Sequence, residues 1–171
     1  MTQIRHKFRD DWPAPNSFLL ELGRMTSIWG SLETSVDLAI SLLAGYDKPL
    51  DERALILLAH SNFQQRIHMI SSLCEFLSPD YPHLVNYSHV IKKIEAAQKS
   101  RNKYAHNAIT IDEETNEVIT NSYSSRGSLK LNTEVVKIEY IQEATAKIHI
   151  AMCSLHTLIT QKDMKPVWER V

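Results

Sequence analysis

The chain has 171 residues, 43% of them hydrophobic, with only 4 Gly and 6 Pro. Such a composition excludes a disordered chain and supports one ordered, helix-rich domain, long enough to bury a core without covalent staples. The formal net charge of −1 argues neither for nor against nucleic acid, so any such contact must come from a local site.

The 2 cysteines, Cys74 and Cys153, lie far apart in apolar patterns. They are expected to be buried thiols in a reducing compartment. The sequence has no basic start followed by an apolar run, and no uncharged stretch long enough for a bilayer. These features predict a cytoplasmic protein with no signal peptide and no membrane partner.

In chain order, residues 1–15 mix charges with prolines and are expected to form a loose arm, with Trp12 able to dock on the body. Asn16 or Ser17 is placed to cap the first helix. Leu22, Met25, Trp29, Leu32, Val36, Ala39 and Leu43 then recur at spacings of three and four, the stripe of a helix in a bundle. Gly45 is expected to stop it. Pro49 and Asp51 open a shorter helix through Ala59. Ser61 or Asn62 caps a third, with Phe63, Ile67, Ile70, Leu73, Cys74 and Leu77 on its apolar side and Pro79 at its end. Pro82 opens a fourth helix, which carries Leu84, Tyr87, Val90, Ile91, Ile94, Ala97 and Tyr104 and ends near Asn107.

The period then changes from helical to alternating. Ile109 and Ile111, then Val118, Thr120 and Ser122, then Leu129, Leu131, Thr133 and Val135 read as two or three short strands. Thr115-Asn116 and Ser125-Arg126-Gly127 supply the turns. A last helix runs from about Glu139 through Ile141, Thr145, Ile148, Met152, Leu155 and Ile159, with Lys165-Pro166 as its stop. The expected fold is all-α: an antiparallel bundle of four to five helices with a small β-hairpin or sheet inserted between the last two, at about residues 108–136. The domain covers residues 16–165, followed by a tail at 166–171.

Chemistry concentrates where the fourth helix stops, in Arg101-Asn102-Lys103-Tyr104-Ala105-His106. A guanidinium can hold a phosphate in a fork of donors, and an imidazole can move a proton near neutral pH. Positions 101 and 106 lie about 140° apart around a helix and ~7.5 Å along it, a gap that the long arginine side chain can bridge. The residues also admit a plainer reading: a solvated helix charge for Arg101, a C-terminal cap for His106, and a helix-end polar group for Asn102. Tyr104 falls on the apolar face and reads as core. Lys92, Lys93, Lys99 and Lys103 make this helix end basic, suited either to an RNA backbone or to a solvated face.

The layout resembles the HEPN superfamily (higher eukaryote and prokaryote nucleotide-binding domains). Its members are helical bundles with an arginine, four to six residues, then a histidine near the end of a core helix, usually with a polar residue after the arginine. Arg101, Asn102 and His106 match that motif. The resemblance extends by layout to the long first helix with Trp29-Gly30-Ser31-Leu32-Glu33, to the strands after His106 and to the last helix. It implies metal-independent cleavage of RNA by a homodimer whose two motifs line one cleft. The catalytic residues would be Arg101, His106 and Asn102, with Lys99 and Lys103 on the substrate and no cofactor or metal. Many members act as toxins or in antiviral defence, often with a cognate antitoxin or regulator protein. Others have lost catalysis and bind a protein or nucleotide. Ala108 stands where members controlled by nucleotide transfer often carry a tyrosine, so that form of control is not expected.

Other chemistry is sparse. His149, Cys153 and His156 share one side of the last helix, but no second ligand pair stands ready to complete a zinc site. They read as a core-edge thiol between half-exposed histidines. Glu33 reads as a surface carboxylate able to pair with a cation.

Overall fold

The computed structural model describes residues 10–124, 128 and 130–170. The chain is mostly helical, at 64%. Among the described residues, five α-helices form: α1 Asn16–Leu43, α2 Glu52–Leu58, α3 Phe63–Leu77, α4 Tyr87–Ala105 and α5 Ile138–Thr160. Three strands, β1 Ala108–Ile111, β2 Val118–Ser124 and β3 Lys130–Val135, lie between α4 and α5 as an antiparallel sheet in the order β1-β2-β3.

The apolar stripe dictates how α1 sits. Met25, Trp29, Leu32, Val36 and Ala39 are buried, and α1 packs mainly on α5 and α3. From α5, Ile141, Ala144, Ile148, Ala151 and Leu155 enter the same core, while Ile94 and Ala97 come from α4. Their spacings of three and four keep one face of each helix apolar, which drives burial at about 25 cal/mol per Å² of apolar surface.

Helix ends follow local chemistry, with two departures from expectation. α1 ends as predicted, with Gly45 at φ +79, a left-handed position that glycine occupies without a Cβ clash. Asn62 caps α3 reciprocally: its side chain accepts the Gln65 N–H, and the Gln65 side chain accepts the Asn62 N–H. Neither Asn16 nor Ser17 caps α1. Pro15 occupies the cap position without a capping side chain, and the Asn16 N–H instead donates to Asp11 Oδ1 at 2.8 Å. Nor does Lys165-Pro166 end α5. The helix stops at Thr160, where Gln161 turns left-handed at φ +59. The Thr157 and Thr160 hydroxyls then accept the N–H groups of Met164 and Lys162. Pro82 opens a short 3-10 turn, Pro82–Asn86, that leads into α4.

Strand register places Tyr123 opposite Leu131, and Ile119 opposite both Thr110 and Val135. Val118 and Thr120 face the helical body and are buried, whereas all six residues of β3 are exposed. The Thr115-Asn116 turn forms with Asn116 at φ +57. The predicted Ser125-Arg126-Gly127 turn and Leu129 lie outside the described residues.

The segments flanking the helices are held to the body. Ala14 is fully buried in the core, while Trp12 keeps 57% of its surface exposed. After α5, a short 3-10 turn at Val167–Glu169 folds back, and the Val167 N–H donates to His149 Nε2 at 2.9 Å. Across the body, Arg66 of α3 reaches Asp37 of α1, with both carboxylate oxygens 3.0 Å from Arg66 Nη1. Burial pushes the Asp37 carboxyl up, against the pull of Arg66. No helix among the described residues is long and apolar enough to cross a membrane.

Candidate functional site

α4 ends at Ala105, and His106 is its C-terminal cap residue. Asn107 closes the end by donating its side-chain N–H to the Lys103 carbonyl at 2.8 Å. This local stop turns His106 outward onto the exposed surface. Arg101, about a turn and a half back, folds along the helix to meet it. Its Nη1 donates to His106 Nε2 at 3.0 Å and to Asn102 Oδ1 at 3.2 Å. The three residues singled out from the sequence are thus in direct contact.

A fourth residue completes the group. The guanidinium carbon of Arg101 lies 5.2 Å from the centre of the Trp29 ring on α1. That ring is itself tilted against Phe63 of α3, with centroids 4.6 Å apart. Trp29 is 4% exposed, so its ring is a fixed surface rather than a mobile one. A planar guanidinium over an indole face gains cation–π attraction and keeps its outer edge open. Among the described residues, no carboxylate forms an ion pair with Arg101. In the sequence Trp29 reads as part of the apolar stripe and of the HEPN-like layout of the first helix, not as a partner of Arg101. A contact between separate helices leaves no local signal, and only the motif's need for a rigid support would have pointed to it.

The direction of the Arg101–His106 bond is determined by chemistry. A guanidinium has only donors, so Nε2 must accept, and the neutral imidazole carries its proton on Nδ1. Asn102 shares the same Nη1 and thereby orients the arginine rather than the histidine.

The basic residues separate from this group. Lys99 and Lys103 lie two positions to either side of Arg101, about 200° around the helix from it. They line a concavity of about 410 Å³ between α4 and α5, together with Tyr104, Tyr140, Glu143 and Lys147. Lys103 forms an ion pair with Glu134 of β3, which raises the lysine and holds the Glu134 carboxyl below its usual range. Lys147 pairs with Glu143 at 2.7 Å. Tyr104 is buried beside the groove, and burial pushes its hydroxyl up. A second cleft, of about 560 Å³, lies further along α4 and includes Lys93, which donates to Ser154 Oγ at 3.0 Å. Arg101, Asn102 and His106 line neither concavity.

On α5, His149 and Cys153 come together without His156. The Cys153 sulfur lies 3.8 Å from His149 Nε2 and 3.7 Å from the Lys165 carbonyl. Trp168 packs its ring on the imidazole at 5.3 Å, while His156 is exposed. Burial, and secondly Arg170, lower the His149 imidazole below its usual value, and burial raises both thiols, Cys74 to about 11. Among the described residues, no three metal-ligating side chains gather into a cluster.

No family model, no curated protein and no solved structure matches this chain.

Proposed function

We propose that the chain is a metal-independent endoribonuclease of HEPN type, built on an antiparallel helical bundle and acting in the cytoplasm as a homodimer. One observation carries the reading. Arg101, Asn102 and His106 meet at the end of α4, and the arginine has an aromatic floor and no carboxylate partner among the described residues. A cation held in that way is prepared for an anionic ligand, and a histidine beside it is prepared to move a proton.

In the proposed reaction, His106 takes the proton of a ribose 2′-hydroxyl, and the 2′-oxygen attacks the adjacent phosphorus. Arg101 neutralises the non-bridging oxygens as charge builds on them. The 5′-oxygen leaves with a proton from an acid. One motif provides one imidazole, so the second copy across a two-fold axis near α4 supplies the acid. The products are a 2′,3′-cyclic phosphate and a 5′-hydroxyl. The need for a 2′-hydroxyl selects RNA over DNA. Lys99 and Lys103 then serve a strand passing over the other side of α4. By its HEPN resemblance, such an enzyme would act as a toxin or antiviral effector checked by a cognate antitoxin or regulator protein.

A specific observation favours a second reading, a non-catalytic HEPN-like module that binds a protein or nucleotide. Arg101 occupies the His106 lone pair, and an imidazole so engaged is not a base. Purified protein incubated with single-stranded RNA in EDTA separates the two. Cleavage that ends in a cyclic phosphate, disappears in His106→Ala and spares substrates with 2′-deoxyribose at the cut site supports the nuclease. Equal degradation by wild type and His106→Ala leaves the binding module. Light scattering that reports a monomer at micromolar concentration removes the composite site.

A further inference from the structure

We propose that the Arg101–His106 hydrogen bond is a resting lock opened by a phosphate group, and that Trp29 is the positioning residue that holds the guanidinium in either state. The proposal takes from the preceding section only that Arg101 receives the phosphate.

Arg101 Nη1 spends its hydrogens on two neutral acceptors, His106 Nε2 at 3.0 Å and Asn102 Oδ1 at 3.2 Å. A phosphate carries charge, and two of its oxygens can accept two parallel N–H groups from one guanidinium, a stronger arrangement than a bond to neutral imidazole. A phosphate that takes the end-on fork formed by Nη1 and Nη2 draws Nη1 away from His106, whereas one held side-on by Nε and Nη2 leaves the lock closed. Nε2 regains its lone pair at that moment. The base becomes available only when an anion is bound, so no proton is moved in an empty site.

The lock needs a pivot, and Trp29 provides it. Its ring lies under the guanidinium at 5.2 Å, is almost wholly buried, and is braced by Phe63 from α3. Rotation of the guanidinium within its own plane keeps the cation–π contact while exchanging hydrogen-bond partners. A lysine at position 101 would keep the charge and lose both the planar contact and the fork. Asn102, bound to the same Nη1, limits how far the group can turn.

The test uses inorganic phosphate as probe, on the full chain carrying Trp12→Phe and Trp168→Phe so that Trp29 alone reports. Titration is followed by Trp29 emission and by the ¹⁵N resonance of His106 Nε2. The lock requires both signals to change with the same half-saturation concentration. Arg101→Lys should abolish the emission change. Trp29→Leu should weaken phosphate binding about tenfold, the scale of a partly desolvated cation–π contact, while Trp29→Phe restores most of it. Since Trp29 is a core residue, Trp29→Phe and Arg101→Lys decide the matter if Trp29→Leu does not fold. Phosphate that leaves the His106 resonance unmoved, or no phosphate binding at all, overturns the lock. Wild-type affinity in a folded Trp29→Leu overturns the role of Trp29. The nuclease reading fails separately. Coupled phosphate signals without RNA cleavage leave the lock standing alone, and RNA cleavage with neither signal moving leaves the nuclease without it.

Discussion

Among the histidines that accept a hydrogen bond at Nε2, His106 and His149 are held in opposite ways. His106 is exposed at the end of α4 and accepts from the arginine side chain five residues before it. His149 is buried on α5 and accepts from the backbone N–H of Val167, with Trp168 over its ring. The first contact joins a charged group to a ring at the water boundary and can be exchanged at little cost. The second staples the C-terminal segment to the body, and its Nδ1 is buried without a partner. The same side chain is therefore a movable group in one place and a structural fastener in the other. Burial and the nature of the donor decide which.

The sharpest way to break this comparison is to remove each ring. His106→Ala should lower RNA cleavage in EDTA by at least ~100-fold, the usual scale for losing a general acid or base, read from initial rates on a labelled strand. His149→Ala should leave the rate per folded molecule unchanged and instead cost about 1 kcal/mol of stability in urea unfolding, because the Val167 N–H loses its acceptor. In the same variant Cys153 should become open to alkylation as the covering segment loosens. Cys74, fully buried with its thiol raised to about 11, should stay inert until the protein unfolds.

A smaller effect sharpens the contrast through pH. The folded state holds His149 below its ordinary value of 6.5, through burial first and Arg170 second. Below pH 6.5 the unfolded chain binds the extra proton more readily than the folded one, so unfolding stability rises with pH across that window. The full contribution is present above 6.5 and is lost as pH falls below it. Melting temperatures on either side should show this slope in wild type. His149→Gln, which can still accept the Val167 N–H but does not titrate, should flatten it.

The smallest expected effect concerns stability at the motif. His106→Ala should change unfolding stability within about 0.5 kcal/mol, as exposed helix-end changes do, and Arg101→Ala by about 1 kcal/mol, because the half-buried guanidinium also loses its contact with Trp29. A much larger loss in either would turn the Arg101–His106 pair into a fastener like His149, and the comparison would collapse.

Much of the helical framework was legible in the sequence because its determinants are local. The three-and-four spacing of Met25, Trp29, Leu32, Val36 and Ala39 marks a buried helix face. Gly45 and Asn62 punctuate the chain through backbone freedom and side-chain capping. Arg101, Asn102 and His106 were recognisable because one arginine side chain spans their separation. Lys99 and Lys103 were grouped with them on sequence proximity, yet the helix turns them to the other side of α4. The end of α5 was misplaced because Gln161, a residue with no strong turn signal, takes the left-handed position before the proline is reached.

By itself, then, the sequence determined which segments coil, which faces are apolar and where a reactive trio could assemble, since each depends on residues within a few turns of one another. Only the tertiary structure decided that Trp29 lies under Arg101, that Glu134 takes Lys103, and that Val167 closes over His149. Those contacts join separate elements. They depend on how the packed helices and the sheet settle against one another, a geometry that spacing along the chain does not encode.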